Sequence, residues 1–423
     1  MGKTLAEKVL ARAAGRDSVH SGDFVWAKPD IIWLNEGNFV REVDNLKRNG
    51  LDADKTIAKK VFETIDHDLP GSSLASSDRK KRTREVGKAY GIHIYDMGRH
   101  GISHQLGAET GDITPGMLVL ASDVHITTLG GIGALAIPIS RGMPFLLAAG
   151  ETWLMVPRTV QVSVQGRMAP WMTSRDVAQW LISQIGDVRA DYNVLEFTGP
   201  LVKSLPMDGR LTFCNVSVEV GCKAAVVPPD EVTETYFKSL FNGKHSTRWE
   251  PVISDPDAEY IERLSFDISS LEPIVALPPS PDNVRPLKDV AGTKVDQAYI
   301  GSCAGGRMED LRVVASMLKG RQVAEGVRML IVPTSQQIYV QAAREGLLEI
   351  FVEAGASVMM PGCSPCYGMQ AALSAGEVCI CTATRNDRGR MGSPEAQIFL
   401  SGPATVTASA IKGVFADPRE ILS

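Results

Sequence analysis

Three cysteines on two short segments are the part of this chain best suited to chemistry. Cys363 and Cys366 sit in Pro361-Gly362-Cys363-Ser364-Pro365-Cys366-Tyr367-Gly368, and Cys303 lies far upstream in Ile300-Gly301-Ser302-Cys303-Ala304-Gly305-Gly306-Arg307. No fourth partner stands at metal-ligand spacing from them in the sequence. A cubane iron–sulfur cluster held by three thiolates keeps one iron without a protein ligand, and that iron can bind a substrate oxygen as a Lewis acid. The pattern predicts a catalytic 4Fe-4S cluster, one per chain, and not an electron carrier. A Cys-x-x-Cys pair alone would also suit half a zinc site, a redox pair or coincidence. Cys303, in a Gly-rich strand exit, tips the reading. There Gly301, Gly305 and Gly306 let backbone amides approach a bulky inorganic group. Zinc would need a fourth ligand. Cys379 and Cys381 are available, but they alternate within a strand-like Val378-Cys379-Ile380-Cys381, where buried small hydrophobes are expected. Cys214 and Cys222 carry the same expectation.

Histidines are few, seven in all, so their neighbours carry information. Asp66-His67 precedes a turn at Asp68-Leu69-Pro70. His104 lies in Gly101-Ile102-Ser103-His104-Gln105, and His125 follows Asp123 by two residues. A single such histidine is usually a hydrogen-bonded structural residue. Three of them near carboxylate-bearing loops could protonate a leaving hydroxyl or orient a substrate acid. Arg385 and Arg390, in Thr384-Arg385-Asn386-Asp387-Arg388-Gly389-Arg390, suit either a solvated basic turn or bidentate capture of substrate carboxylates.

These residues need elements that hold them. Ser77 to Tyr90 is charged and predicts an exposed helix. Met117 to Leu120 predicts a short buried strand ending at Ser122-Asp123-Val124-His125. The small apolar run from Thr127 to Ala136 predicts a helix packed tightly on a sheet, in preference to a phosphate cradle, because its glycine spacing fits no phosphate-binding fingerprint. Val160 to Gln165 predicts a strand, and Ser174 to Ile185 a helix. The Pro-rich stretch from Leu271 to Pro281 should interrupt regular structure and lead into a last domain. That last domain has a βα rhythm, with strands at Ala298–Ile300, Met329–Val332 and Ser357–Met360. Helices are expected at Met308–Leu318 and Ser335–Glu345, the second stopped by Gly346. Both cysteine segments follow strand ends, where open α/β sheets place their ligands.

The chain has 423 residues, enough for about three domains or fewer. Hydrophobic residues make up 44% and charged residues 22%, as in a globular protein with substantial cores. A net charge of −5 with no long like-charge run argues against general nucleic-acid binding. No apolar stretch approaches membrane-spanning length, and the amphipathic start from Met1 to Arg16 has no signal-peptide core. Seven cysteines, an odd count, do not suggest a disulfide framework. A reducing, cytoplasmic setting is expected, and it also suits an oxygen-sensitive cluster.

Taken together, these segments resemble the aconitase superfamily, and within it the large subunits of 3-isopropylmalate dehydratase and homoaconitase. The likeness spans nearly the whole chain. It runs from Lys3-Thr4-Leu5-Ala6-Glu7-Lys8, through Asp66-His67, Met117 to Ala136 and Pro278-Pro279-Ser280-Pro281-Asp282-Asn283-Val284, to Arg390-Met391-Gly392-Ser393-Pro394-Glu395. The resemblance implies an α/β, three-domain aconitase-like fold whose three-layer domains surround a central cluster. Its divisions would be 1–158, 159–272, a Pro-rich linker at 273–287, and 288–423 with the cluster cysteines. It implies Cys303, Cys363 and Cys366 as cluster ligands. It implies Asp66 with His67, and His104 with Asp123, as acid-supported histidines. His125 would be a third, with Glu219 of Asn215-Val216-Ser217-Val218-Glu219 as its carboxylate and also near the cluster's bound water. Asn215 would be a cluster-proximal amide, and Arg385 and Arg390 would lie near substrate and cluster.

The chain departs from the family pattern at several points. Asp-Ser-His-Thr becomes Asp123-Val124-His125-Ile126, Thr-Asn after the first cysteine becomes Ala304-Gly305, and an Asn before the arginine becomes Thr384. Each departure removes hydrogen-bonding groups. The family's base is a serine on a swivelling domain, in a Gly-Ser-Ser-Arg-like loop, and none is seen here. The expectation is therefore the cluster half of an active site shared with a small swivel-domain subunit. The implied activity is a hydro-lyase that reversibly dehydrates, hydrates or isomerises a hydroxy di- or tricarboxylic acid, 3-isopropylmalate or a related malate. The rivals are a hydratase of a short diacid such as maleate, citraconate or dimethylmalate, a non-catalytic cluster-bearing regulator, and a zinc hydrolase.

Overall fold

The computed structural model describes residues 2–241 and 251–422. They form two compact units. The first comprises Met1–Asp66, Pro70–Val164 and Asp187–Ser265; the second comprises His67–Leu69, Gln165–Gly186 and Phe266–Ser423.

In the first unit a five-stranded parallel sheet runs in the order His93–Tyr95, Val61–Thr64, Ile31–Asn35, Leu118–Ala121, Leu135–Pro138. Its strands are apolar on both faces because both faces are covered. Ile32, Leu34, Leu118 and Leu120 enter one core, together with Leu5, Val9 and Leu10 of the helix Leu5–Ala13. Trp33, Val119 and Ala121 enter the opposite core with Leu106, Leu129 and Leu211. The first helix is capped by Thr4, and the Glu7 carboxylate accepts the Thr4 amide in return. Farther along the chain, Thr159–Gln165, Val194–Thr198 and Ala224–Val226 form parallel neighbours in a four-stranded sheet.

The second unit is built on a seven-stranded sheet. Its order is Val284–Pro286, Ile274–Ala276, Gln397–Leu400, Val378–Cys381, Gln297–Ile300, Arg328–Ile331, Ser357–Val358. Its last five strands are parallel. Alternate residues of Gln297–Ile300 again serve two cores: Ala298 and Ile300 one, Tyr299 the other.

Three local expectations are revised. The run 127–136 is not one α-helix. It begins as a 3₁₀ helix, Val124–Ile132, stops at Gly133 (φ 82°), and continues as the strand Leu135–Pro138. Its tight packing is real: a side chain on Gly130 would overlap the Ala225 carbonyl, and one on Gly131 would come within 2.6 Å of the Leu211 amide. The Pro-rich stretch interrupts regular structure on both sides of one short strand. Ile274–Ala276 and Val284–Pro286 pair antiparallel at the edge of the sheet, where a missing proline N–H costs no ladder bond. The charged helix is Leu74–Tyr90, capped by Ser73, and it is not wholly exposed: Lys80 is buried against Glu36 at 3.0 Å.

Candidate functional site

In the first unit the C-terminal ends of three parallel strands carry the polar residues. Asn35 closes one strand, Asp66 lies just beyond Val61–Thr64, and Asp123 lies just beyond Leu118–Ala121. The Asp66 carboxylate accepts the Ser103 amide at 2.9 Å, at the start of the helix Ser103–Glu109 that presents His104. Ser103 is fixed in turn by the Trp33 indole, which donates to its hydroxyl at 2.6 Å.

Asp123 is the centre of the set. Its Oδ1 accepts the His125 amide at 2.8 Å, which caps the 3₁₀ helix, and its Oδ2 accepts from Asn35 Nδ2 at 3.1 Å. His104 Nε2 lies 3.3 Å from Oδ1, and His125 Nδ1 lies 3.4 Å from the same oxygen. The two imidazole centroids are 5.9 Å apart. The other nitrogen of His125 reaches Glu219 Oε1 at 2.6 Å. Glu219 arrives on the 3₁₀ turn Ser217–Val220, directly after the helix Met207–Val216. Asn215 on that helix donates to Thr128 Oγ1 at 2.7 Å, and Thr128 donates to the His125 carbonyl at 2.6 Å. The result is a continuous chain: Asn35–Asp123–His125–Glu219, with His104 on the same carboxylate. Burial pushes the Asp123 carboxyl up, but His104 and His125 together outweigh it and hold the group well below the usual carboxylate range.

In the second unit the strand Gln297–Ile300 delivers Cys303 into a tight turn. Ser302 takes a left-handed conformation there (φ 71°), and its hydroxyl accepts from the Ala304 amide and donates to the Thr382 carbonyl. Thr382, beyond the neighbouring strand Val378–Cys381, holds the turn in place. Its hydroxyl oxygen lies 2.9 Å from both the amide and the carbonyl of Gly301, and 3.0 Å from the Gly305 carbonyl. The glycines of this turn serve packing within the protein. A side chain on Gly305 would overlap Thr382, and one on Gly306 would come within 2.6 Å of the Val332 carbonyl. Gly301 makes room for the Tyr299 phenol, whose oxygen lies 2.5 Å from where a Cβ would be.

Cys363 precedes, and Cys366 lies within, the 3₁₀ turn Ser364–Tyr367, which Gly368 ends with φ 74°. Arg390 Nε donates to the Cys366 carbonyl at 3.1 Å, and its guanidinium lies 4.7 Å from the centre of the Tyr367 ring. His67 meets that same ring edge-on at 5.8 Å. Arg385 is half-buried, five residues before Arg390 in the same loop. Hydrogen bonding from Cys363 lowers the Cys366 thiol furthest; Arg390 and the Thr384 amide add to this, and together they outweigh burial, so Cys366 favours the thiolate. Tyr299 is pushed the other way by burial, then by the charges of Cys366, Cys363, Cys381 and Cys303 around it. Its hydroxyl has no hydrogen-bond partner among the described residues. Three thiols on two loops, all acting on a buried hydroxyl that has no acceptor among the described residues, suit a metal group that brings its own sulfur. Cys379 and Cys381 are fully buried within a strand, as expected of small hydrophobes.

Residues 7–413 match the family model described as Aconitase family (aconitate hydratase). The chain belongs to the aconitase family. This family member is 41% identical over 425 residues to the 3-isopropylmalate dehydratase large subunit of Halothermothrix orenii, with all of both chains covered. It is 39% identical to 3-isopropylmalate dehydratase large subunit 1 of Methanopyrus kandleri and 38% identical to the 3-isopropylmalate dehydratase large subunit of Thermodesulfovibrio yellowstonii, again over both full lengths. Membership makes the chain a hydro-lyase of the aconitase type. Among the described residues no helix is long and apolar enough to cross a membrane.

Sequence reasoning passed over Asn35, Ser103, Thr128, Thr382 and Tyr299. Asn35 had a visible signal, a polar residue ending the otherwise apolar Ile31-Ile32-Trp33-Leu34. Thr382 had none, because its role depends on which strand lies beside Gln297–Ile300.

Proposed function

We propose that the chain is the cluster-bearing large subunit of a cytoplasmic hydro-lyase acting on 3-isopropylmalate or a closely related 2- or 3-hydroxy diacid. A small swivel-domain subunit would complete the enzyme. The observation that carries this reading is that Cys303 and the pair Cys363 and Cys366 follow two strands of the parallel part of one sheet, Gln297–Ile300 and Ser357–Val358, and that all three act on one buried phenol. The names of the full-length relatives supply the substrate class and the partner. The three-domain division at 1–158, 159–272 and 288–423 belongs to the same reading. The five-stranded sheet lies within the first stretch and the four-stranded sheet within the second, while the seven-stranded sheet begins in the 273–287 linker.

A three-cysteine 4Fe-4S cluster supplies a Lewis-acidic iron that polarises a substrate carbon–oxygen bond without redox change. This chain's residues supply the rest. His125 has a carboxylate at each ring nitrogen, so it can hold a proton on either one and pass it to a leaving hydroxyl. Asp123 fixes both imidazoles and stays ionised as their counter-charge. His67, set against Tyr367, is a second candidate donor. Arg385 and Arg390 offset substrate carboxylate charge, Arg390 with its direction set by Cys366 and Tyr367. Asn215 and Thr128 hold the His125 backbone in place. The proton beside the substrate carboxylate is taken by the partner subunit's base.

A second reading, a hydratase of a short diacid such as maleate, citraconate or dimethylmalate, draws support from Val124, Ala304, Gly305 and Thr384, where side-chain polar groups of the family are absent or changed. One experiment tests both. The chain is reconstituted anaerobically with iron and sulfide, joined to its small subunit, and assayed with 3-isopropylmalate and the short diacids. About four irons with matching acid-labile sulfide, and turnover of a malate-type acid, are expected. Zinc in place of iron, or no turnover of any of these acids, would overturn the reading.

A further inference from the structure

Tyr299 stands in the middle of a buried strand and presents its ring to the core containing Cys366, Cys379 and Cys381, while Ala298 and Ile300 turn to the other core. The ring extends forward along the strand, over Gly301, toward the turn that carries Cys303. The residue is fully buried, and its hydroxyl has no hydrogen-bond partner among the described residues. A buried hydroxyl without an acceptor costs about what a lost hydrogen bond costs, so most such groups in folded proteins find a partner. Phenylalanine would fill the same space with no such cost. Its ring shares a core with Cys366, Cys379 and Cys381, and Cys303, Cys363 and Cys366 all act electrostatically on its hydroxyl.

We propose that Tyr299 is a positioning residue for the cluster: its hydroxyl donates a hydrogen bond to a cluster sulfur, either an inorganic sulfide or a cysteinate, and thereby tunes the cluster's electronic state. The assignment rests on reading the three cysteines as cluster ligands. Hydrogen bonds to the sulfurs are among the factors that set an iron–sulfur centre's reduction potential. A donor stabilises the more negative, reduced form, so its removal shifts the midpoint downward.

The test uses the wild-type chain and Tyr299→Phe, each reconstituted anaerobically and paired with the small subunit. Spectroelectrochemistry should give the phenylalanine variant a more negative midpoint. Resonance Raman spectra should show a deuterium-sensitive iron–sulfur band in the wild type that weakens in the variant. Thermal unfolding separates a merely structural role. An orphan hydroxyl predicts that the variant is more stable both with and without its cluster. The proposed bond predicts that the variant gains stability only without it. Should Tyr299→Phe fail to fold, 3-fluorotyrosine at position 299, a more acidic donor of nearly the same shape, should move the midpoint upward. Identical midpoints and identical deuterium shifts would overturn the assignment of Tyr299. A wild-type chain that takes up no iron and no sulfide would instead overturn the cluster reading beneath it.

Discussion

Asp123, His125 and Glu219 are fixed by one another, whereas Cys303, Cys363 and Cys366 are fixed by the loops that carry them. In the first unit each polar side chain of the set is another's partner: Asn35 on Asp123, His104 and His125 on the same carboxylate, Glu219 on the far ring nitrogen. In the second unit the main contacts are between backbone and staple. Thr382 holds Gly301 and Gly305, Ser302 closes the turn, and Arg390 reaches the Cys366 carbonyl. A network of ionisable side chains responds to pH and to one-atom changes. A set of thiols on packed turns responds to loss of a ligand or to loosening of the turn. The two halves should therefore fail in different ways.

The largest effect is expected from Cys366→Ala. With two thiols left, the cluster should not persist, and visible absorbance, iron content and turnover should disappear together. Retained absorbance at full intensity would show that Cys366 is not a ligand. Next comes His125→Asn, which keeps a polar side chain but not a transferable proton. Turnover should fall by about two orders of magnitude or more while iron and sulfide content stay at the wild-type level. A matched loss of cluster and activity would mean that the two halves do not fail separately.

Much of this was legible in the sequence, and for stated reasons. The strands and helices near the cysteines follow period and punctuation: Met308–Leu318 as expected, Ser335 capping Gln336–Arg344, Gly346 ending the turn with φ 73°. The cysteines and the acid–histidine residues were legible as residue types with a family likeness. Less legible was the run after Asp123, because Leu135-Ala136-Ile137 reads as helix or buried strand with equal ease, and three glycines hide their reason in the segments packed against them. The edge hairpin was hidden by its prolines, which break a central strand but not an outer one. Tyr299 and Thr382 were invisible in principle: neither role exists until Tyr299 is paired with Cys381 in the sheet.

Thr382→Val gives a smaller and purely structural effect. Valine keeps the shape but leaves the Gly301 amide and the carbonyls of Gly301 and Gly305 without their hydroxyl, at a cost of about 1–3 kcal/mol. Denaturant unfolding of the apo chain should show that loss, and the reconstituted variant should release iron faster than wild type. The acid–base set should be unaffected, so per-cluster turnover should remain close to normal. Per-cluster turnover falling as far as it does in His125→Asn would mean that the staple does more than hold the turn.

The smallest effect separates the halves by pH. Asp123 has a folded-state pKa depressed below 3.8, because His104 and His125 outweigh the burial that opposes them. A depressed carboxylate contributes stability that is fully present above its unfolded value and is lost as pH falls through the folded value. The Asp123 contribution should thus be intact at neutral pH and begin to disappear only below about pH 4. In Asp123→Asn that component is missing at every pH, so a stability gap between wild type and variant should be open at about pH 5 and close in strong acid. Guanidinium unfolding of the apo chains at a series of pH values measures the gap directly. The same series on Thr382→Val should show a gap that does not change with pH, since no titrating group was removed. If the Asp123 gap also stayed flat into strong acid, the aspartate would be acting through shape and hydrogen-bond count alone, and the charge-based account of the first unit would be wrong.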